Sequence, residues 1–272
     1  MTVDDSATGV KSARRVLEIL EIIAQSSEPT SFLDLMNGLH YPKSSLHGLL
    51  STMVDMRWLT LDSASRSYHI GVRPWEVGQS FQPSRDLVIR ARHYLREVHS
   101  ELGETVQLGI LDVGSLDVVY LDKIEGIRAL RLVSEVGARI PAYATAIGKC
   151  LLAARPDEEL QHTFAGHKLE RYTTNTVRDG DKLLKVLKTT RKRGYALDDG
   201  EYTSGVFCVA VPIRALDGTT IAAMSCSVPQ SRIDLHELEP TFVFGVLKKQ
   251  AEALSSTLGE TFTKGLVPLV WR

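Results

Sequence analysis

Apolar residues recur at helical spacing through the first 55 positions of this chain. Val16, Leu17, Leu20, Ile23 and Ala24 share one stripe, which predicts a helix over residues 10–24. A second helix starts at Ser31, a hydroxyl side chain suited to an N-cap, with Asp34 three residues on where a carboxylate favours a helix start. Leu33, Leu35, Met36 and Leu39 give it an apolar side, and Gly38 marks its end in a short turn over residues 37–41. Pro42 opens a third helix. Its apolar positions Leu46, Leu49, Leu50 and Met53 are spaced i, i+3, i+4, i+7, and its polar face carries Lys43, Ser44, Ser45 and His47. Alternating β-prone runs follow at residues 58–61 and 68–70, joined by a polar turn over 62–67. Two brief helices with a tight glycine-bearing turn, closed by a third helix and followed by a hairpin, predict a winged helix-turn-helix.

Beyond Gly71 the pattern changes. Trp75, Val77 and Phe81 line one face of a short linking helix, and Gln82-Pro83-Ser84-Arg85 is expected to break it. A long helix over 86–102 buries Leu87, Ala91, Tyr94, Leu95 and Val98. Strands are predicted at 104–112, 116–123 and 128–133, helices at 146–154 and from Asp157, and a helix at 183–193 that stops at Gly194. The cations in that helix's last turn, Lys188, Arg191, Lys192 and Arg193, suit its dipole and read as a solvated helix end. Strands at 207–213 and 220–228 and a closing helix at 243–258 complete an α+β chain with antiparallel hairpins. The expected division is a winged helix-turn-helix domain at 1–72, a linker at 73–85, a second domain at 86–264 and a tail at 265–272.

Short hydrogen-bonding groups and one lysine on the third helix are the kind that reach phosphates and base edges in a major groove. Lys43, Ser44, Ser45 and His47 are therefore candidate base-reading residues, with Arg14, Arg15 and the wing-tip Arg66 on phosphates. Residues 11–73 carry seven basic and six acidic side chains, a balance of +1, so the charge favours a specific reader over a nonspecific one. The whole chain of 272 residues has a net charge of −1 and a hydrophobic content of 43%. No apolar run approaches the ~20 residues of a membrane helix, and the polar, acidic N-terminus lacks the features of a secretory signal. Three scattered cysteines, at 150, 208 and 226, suit reduced thiols in a cytoplasm. The chain has no G-x-S-x-G, no H-E-x-x-H and no Walker-type loop, so neither an enzyme nor a cofactor is expected. A small-molecule enzyme and an interaction adaptor remain the competing classes.

Several blocks, in order, carry a resemblance. They are residues 11–20 (KSARRVLEIL), 42–47 (PKSSLH), 140–149 (IPAYATAIGK), 194–201 (GYALDDGE) and 205–213 (GVFCVAVPI). Over nearly its full length the chain resembles the IclR family of bacterial transcriptional regulators. The resemblance implies a winged helix-turn-helix, a helical linker and a GAF-like effector-binding domain. It also implies dimers or tetramers on palindromic double-stranded DNA operators, and pairing is expected through the first domain and the linker near Trp75 and Phe81. The sequence departs from the family at His47-Gly48, where relatives place an arginine second, and at Gly200, where they often carry an acid. By motif the family's effector site falls on Ala146 and Ile147, on Asp198, Val206, Cys208, Ser225 and Ser227, and on Ala129 and Leu132 of the predicted strand before them. A helix start that favours anions, two hydroxyls and an apolar wall suit a small organic acid, with room for an aromatic ring.

Overall fold

The computed structural model describes residues 9–26, 28–80, 82–127 and 135–258, with the backbone alone for 82–85. The chain divides into two compact units, residues 1–82 and 83–272.

In the first unit α1 (Lys11–Gln25), β1 (Thr30–Ser31), α2 (Phe32–Leu39), α3 (Lys43–Asp55), β2 (Leu59–Asp62) and β3 (Ser67–Ile70) follow in order. The start of α2 is fixed by a capping box. The Ser31 N–H donates to Asp34 Oδ2 at 2.9 Å and the Asp34 N–H donates back to Ser31 Oγ at 3.2 Å. The Ser31 hydroxyl, which donates to Asp34 Oδ2 at 2.6 Å, and then the Ser31 N–H hold the Asp34 carboxyl below its ordinary pKa. Gly38 does not end the helix. The chain runs on to Leu39, and the left-handed position falls on His40, at φ 54°. The core comprises Ile19, Ile23, Leu35, Leu46, Leu50, Met53 and Leu59. Leu17 and Leu33, expected inside, are exposed. The buried stripe of α1 runs through Val16, Ile19, Leu20 and Ile23, and Leu17 lies about 100° round the helix from Val16. The wing has a strand that the pattern did not reveal, because two residues are too few to show alternation. Thr30 and Ser31 pair antiparallel with Tyr68 and Ser67, giving the order β1-β3-β2.

Gly48 lies inside α3, and a Cβ built there meets nothing within 4 Å. Gly48→Ala is therefore expected to stabilise this unit by about 0.5–1 kcal/mol through reduced backbone freedom in the unfolded chain. A urea melt checks it; a lowered midpoint would mean that the glycine serves a contact that the helix geometry does not require.

After α4 (Arg73–Gly78), the second unit is led by α5 (Gln82–Leu102). Residues 82–85, expected as a break, form the first turn of this helix. Proline fits there because first-turn N–H groups have no intrahelical acceptor. Next come β4 (Thr105–Asp112), β5 (Asp117–Ile124), β6 (Arg139–Pro141), α6 (Ala146–Leu152), α7 (Asp157–Phe164), α8 (Gly180–Arg193), β7 (Ala196–Asp199), β8 (Val206–Arg214), β9 (Thr220–Pro229), α9 (Gln230–Asp234) and α10 (Pro240–Thr257). The strands form one antiparallel sheet in the order β6-β5-β4-β9-β8-β7. The predicted strand at 128–133 and the tail at 265–272 lie outside the described residues. β6, β7 and α9 were not anticipated, each being five residues or shorter.

Two-residue periodicity in the central strands builds two cores. Val209, Val211 and Ile213 of β8, with Met224, Cys226 and Val228 of β9, pack with α5 and α10. Ala210 and Ala223 point the other way and pack with α6, α7 and α8. The sheet is thus covered on both faces. Gly194 ends α8 in the left-handed region at φ 84°, as the sequence implied. In the cationic last turn of α8, Lys188, Arg191 and Lys192 are exposed, as expected of a solvated helix end, and Arg193 is half-buried. Arg191 donates to the carbonyls of Ala153 and Arg155 at 2.6 and 2.7 Å, which satisfies acceptors just past the end of α6.

Candidate functional site

The polar face of α3 leaves Lys43, Ser44 and His47 exposed, and Arg14 on α1 and Arg66 in the wing turn are exposed too. Arg66 sits at φ 54°, in a turn held by Asp62, which accepts from the Ala64 N–H at 2.9 Å and the Ser65 hydroxyl at 2.6 Å. Ser45 and Arg15 differ from the expectation of two outward-facing groups. Both are half-buried, and Arg15 Nη1 donates to Ser45 Oγ at 3.1 Å. The Arg15 guanidinium also lies 4.6 Å from the centroid of the Tyr41 ring, and the Tyr41 hydroxyl donates to Glu18. Burial, reinforced by Glu18, pushes the Tyr41 hydroxyl up to about 12. Arg15 and Ser45 therefore tie α1 to α3 and fix the presentation of the exposed side chains beside them.

The second unit brings seven sequence-derived residues to one cavity. Ala146 and Ile147 from α6, Asp198 from β7, Val206 and Cys208 from β8, and Ser225 and Ser227 from β9 all line it. Ala129 and Leu132 lie outside the described residues. Strand register explains the convergence. Cys208 stands opposite Ser227, and Ser225 stands opposite Gln107 of β4, so all four share a face. Their polar atoms satisfy one another. Ser225 Oγ donates to Gln107 Oε1 at 3.1 Å, Gln107 Nε2 to Ser227 Oγ at 3.1 Å, and Cys208 Sγ lies 3.2 Å from Ser227 Oγ.

Gln107, Tyr120, Thr145, Tyr202 and Thr203 complete the lining and were not singled out from the sequence. Two left a signal: Gln107 interrupts an apolar strand, and Thr145 has an N-cap side chain one residue before a helix. Thr145 Oγ1 accepts the Gly148 N–H at 3.3 Å. Gly148 itself is required by packing, since a Cβ there would lie 2.3 Å from the Ala142 carbonyl oxygen.

Behind the cavity is an ionic cluster. Lys149 is only 1% exposed and its ammonium pairs with Glu201, whose second oxygen is buried without a hydrogen-bond partner. Asp198, 4% exposed, accepts the Glu201 N–H at 2.6 Å. Burial pushes the Asp198 carboxyl up to about 7, and Lys149 opposes that rise. The Glu201 turn is strapped down by a neighbouring loop. Thr173 Oγ1 donates to the Gly200 carbonyl at 2.6 Å and Thr176 Oγ1 to the Glu201 carbonyl at 2.6 Å. Gly200 is held at φ 64°, in the left-handed region that favours glycine. Tyr202 packs on Tyr172 with ring centroids 5.0 Å apart. The space enclosed is about 30 Å³, room for roughly one water molecule.

Among the described residues no helix is long and apolar enough to cross a membrane, and no cluster of His, Cys, Asp or Glu is placed to hold a metal ion. Residues 12–63 match the IclR helix-turn-helix domain, and residues 79–256 match the C-terminal domain of the bacterial transcriptional regulator IclR. The chain is 35% identical over 229 residues to the HTH-type transcriptional regulator XynR of Escherichia coli, covering 84% of this chain and 90% of XynR. The crystal structure of Thermotoga maritima IclR superposes with a TM-score of 0.72 at 28% identity, covering 91% of this chain and 98% of that one. An IclR homologue from Microbacterium hydrocarbonoxydans, solved with 4-hydroxybenzoate, shares the fold with a TM-score of 0.81 at 23% identity, over 91% of this chain and 98% of that one. With matching domains in both units and relatives that are regulators, the chain belongs to the IclR family of bacterial transcriptional regulators and is a DNA-binding protein, not an enzyme.

Proposed function

We propose that this regulator's operator affinity is set by a small organic acid held in the cavity of the second unit. The observation that carries this reading is the convergence of Ala146, Ile147, Asp198, Val206, Cys208, Ser225 and Ser227, from four separate elements, on one polar pocket. The 4-hydroxybenzoate found with the Microbacterium homologue makes an aromatic carboxylate a suitable first probe. At about 30 Å³ the pocket is too small for such a ligand, so binding requires its lining to move, and the turn that carries Tyr202 and Thr203 is the segment proposed to do so. A ligand shifts DNA affinity only by binding the two conformations unequally, and a coupling of about 1–3 kcal/mol changes operator affinity roughly 5- to 150-fold.

On the DNA side, Lys43, Ser44 and His47 read the major groove, Arg14 and Arg66 contact phosphates, and Arg15 and Ser45 brace the reading helix. A single helix reads too few bases for genomic specificity, so the protein works in the cytoplasm as a homo-oligomer, dimer or tetramer, on a pseudo-palindromic site. Exposed apolar side chains support pairing near the linker: Trp75 is 65% exposed, with Val72 and Val77 beside it.

Ser225→Asp tests the pocket. Its carboxylate repels an anionic ligand and leaves the first unit untouched. Binding to DNA from the promoter beside the protein's own gene is expected to persist, while its response to 4-hydroxybenzoate is lost. A variant that responds like wild type places the effector elsewhere. Arg66→Ala tests the wing. It is expected to weaken specific and nonspecific binding alike and to lower the salt slope by about one unit, and an unchanged slope removes the wing from the interface.

A further inference from the structure

A larger cavity of the second unit is a groove of about 420 Å³, within the range that takes whole small molecules. It lies at the other end of α6. Ala146 and Ile147 line the small pocket, whereas Cys150 and Leu151 line the groove. The opposite wall is the β8–β9 hairpin, with Arg214, Thr220 and Ile221.

Its lining has one sign of charge. Arg155, Arg191 and Arg214 border the groove, and none of the described lining residues is acidic. Arg155 and Arg191 are balanced from behind by Glu159 and Asp157, at 2.7 and 2.8 Å. Arg214 is not balanced in this way. Its side-chain bonds run from Nη1 to the Gly218 carbonyl at 3.2 Å and the Thr220 hydroxyl at 3.1 Å, both neutral acceptors. Nearby acids are engaged elsewhere: Asp217 accepts the Thr219 N–H at 2.9 Å, and Glu252 lies 3.8 Å from Lys248. One buried polar group of the lining has no hydrogen-bond partner at all. It is the Oγ1 of Thr190, a residue only 3% exposed.

The geometry points to a second ligand site in this groove, for a small organic anion whose acidic head sits on Arg214 and whose apolar body lies against Leu151 and Ile221. Arginine's planar fork matches carboxylate and phosphate oxygens two at a time. The site is independent of the proposed effector pocket, although α6 forms a wall of both.

The probe is 4-fluorophenyl phosphate, titrated into the full-length protein and followed by fluorine NMR and calorimetry. Its double negative charge disfavours the small pocket, where Asp198 already stands. One site per chain is expected. Arg214→Gln is expected to weaken it at least tenfold, and Ala154→Trp, which fills the groove from an exposed rim position, to abolish it. Ser225→Asp is expected to leave it unchanged, so a failed effector pocket and a failed groove give different results. Uncharged 4-fluorophenol is expected to bind at least tenfold more weakly. Absence of binding at millimolar probe, equal affinity in Arg214→Gln, or equal affinity for the phenol overturns the proposal. So does a changed oligomeric mass in Ala154→Trp, which would assign the groove to a subunit contact.

Discussion

Lys149→Met is expected to destabilise the second unit by about 3–5 kcal/mol, the cost of leaving one half of a buried ion pair unpaired. The lysine is 1% exposed and its ammonium meets Glu201, whose side chain is 12% exposed. With lysine removed, a buried carboxylate remains that already has one oxygen without a partner. Methionine fills much the same volume, so the loss is electrostatic and not a cavity effect. For a domain of this size the melting temperature is expected to fall by about 10 °C. The double variant Lys149→Met/Glu201→Gln is expected to recover most of the loss, because neither half then carries charge. Differential scanning calorimetry of both variants decides the matter. A single variant that melts with wild type would mean that water reaches the pair.

The second large effect is on pH. Asp198 has its carboxyl raised to about 7, chiefly by burial, so it is mostly neutral below that pH and mostly charged above it. Around it stand Lys149 of α6, Glu201 and Tyr202 of the strapped turn, Cys208 of β8 and Tyr120 of β5. An anionic ligand in the same cavity meets a neutral group below about pH 7 and a like charge above it. Affinity for 4-hydroxybenzoate is therefore expected to be level on the acid side and to fall by up to tenfold per pH unit above about 7. Asp198→Asn is expected to flatten that profile and to bind more tightly than wild type at alkaline pH. Calorimetry across the range, with the ligand carboxylate ionised throughout, gives the profile, and a level wild-type curve would sink the idea. The sign for folding follows from the same shift. The native state holds this proton up to about pH 7, whereas the unfolded chain releases it near 3.8. Asp198 therefore lowers stability as pH rises between those values and has no further effect above them.

Much of this architecture was legible in the sequence, because helices and strands with one buried face write their period into it. Leu46, Leu50 and Met53 of α3 were read from their helical spacing, and β8 and β9 from their apolar runs. Misplacements occurred where periodicity is ambiguous by one residue, as at Leu17, or where an element is too short to repeat, as in β1 and β6. The pocket was less legible. Its residues come from strands far apart in sequence, and only the family resemblance linked Ala146 to Ser225. Gln107 was missed because register, and not local pattern, sets it opposite Ser225. The Arg15–Ser45 bond was missed for a similar reason: each residue looked like an outward polar group on its own helix, and only the packing of α1 on α3 brings them together.

The threonine strap has a consequence for the cell's dose response. In a regulator whose pocket is too small for its ligand at rest, apparent affinity is the intrinsic fit multiplied by the fraction of molecules with the pocket expanded. If the expanded form becomes ten times rarer, the concentration needed for a response rises about tenfold, with no change at any atom that touches the ligand. The hydroxyls of Thr173 and Thr176, bonded to the carbonyls of Gly200 and Glu201, bear on that fraction. On the proposed reading of the pocket, chemical selectivity and sensitivity belong to different residues. The threshold at which a gene switches can drift through the strap while the identity of the signal stays fixed.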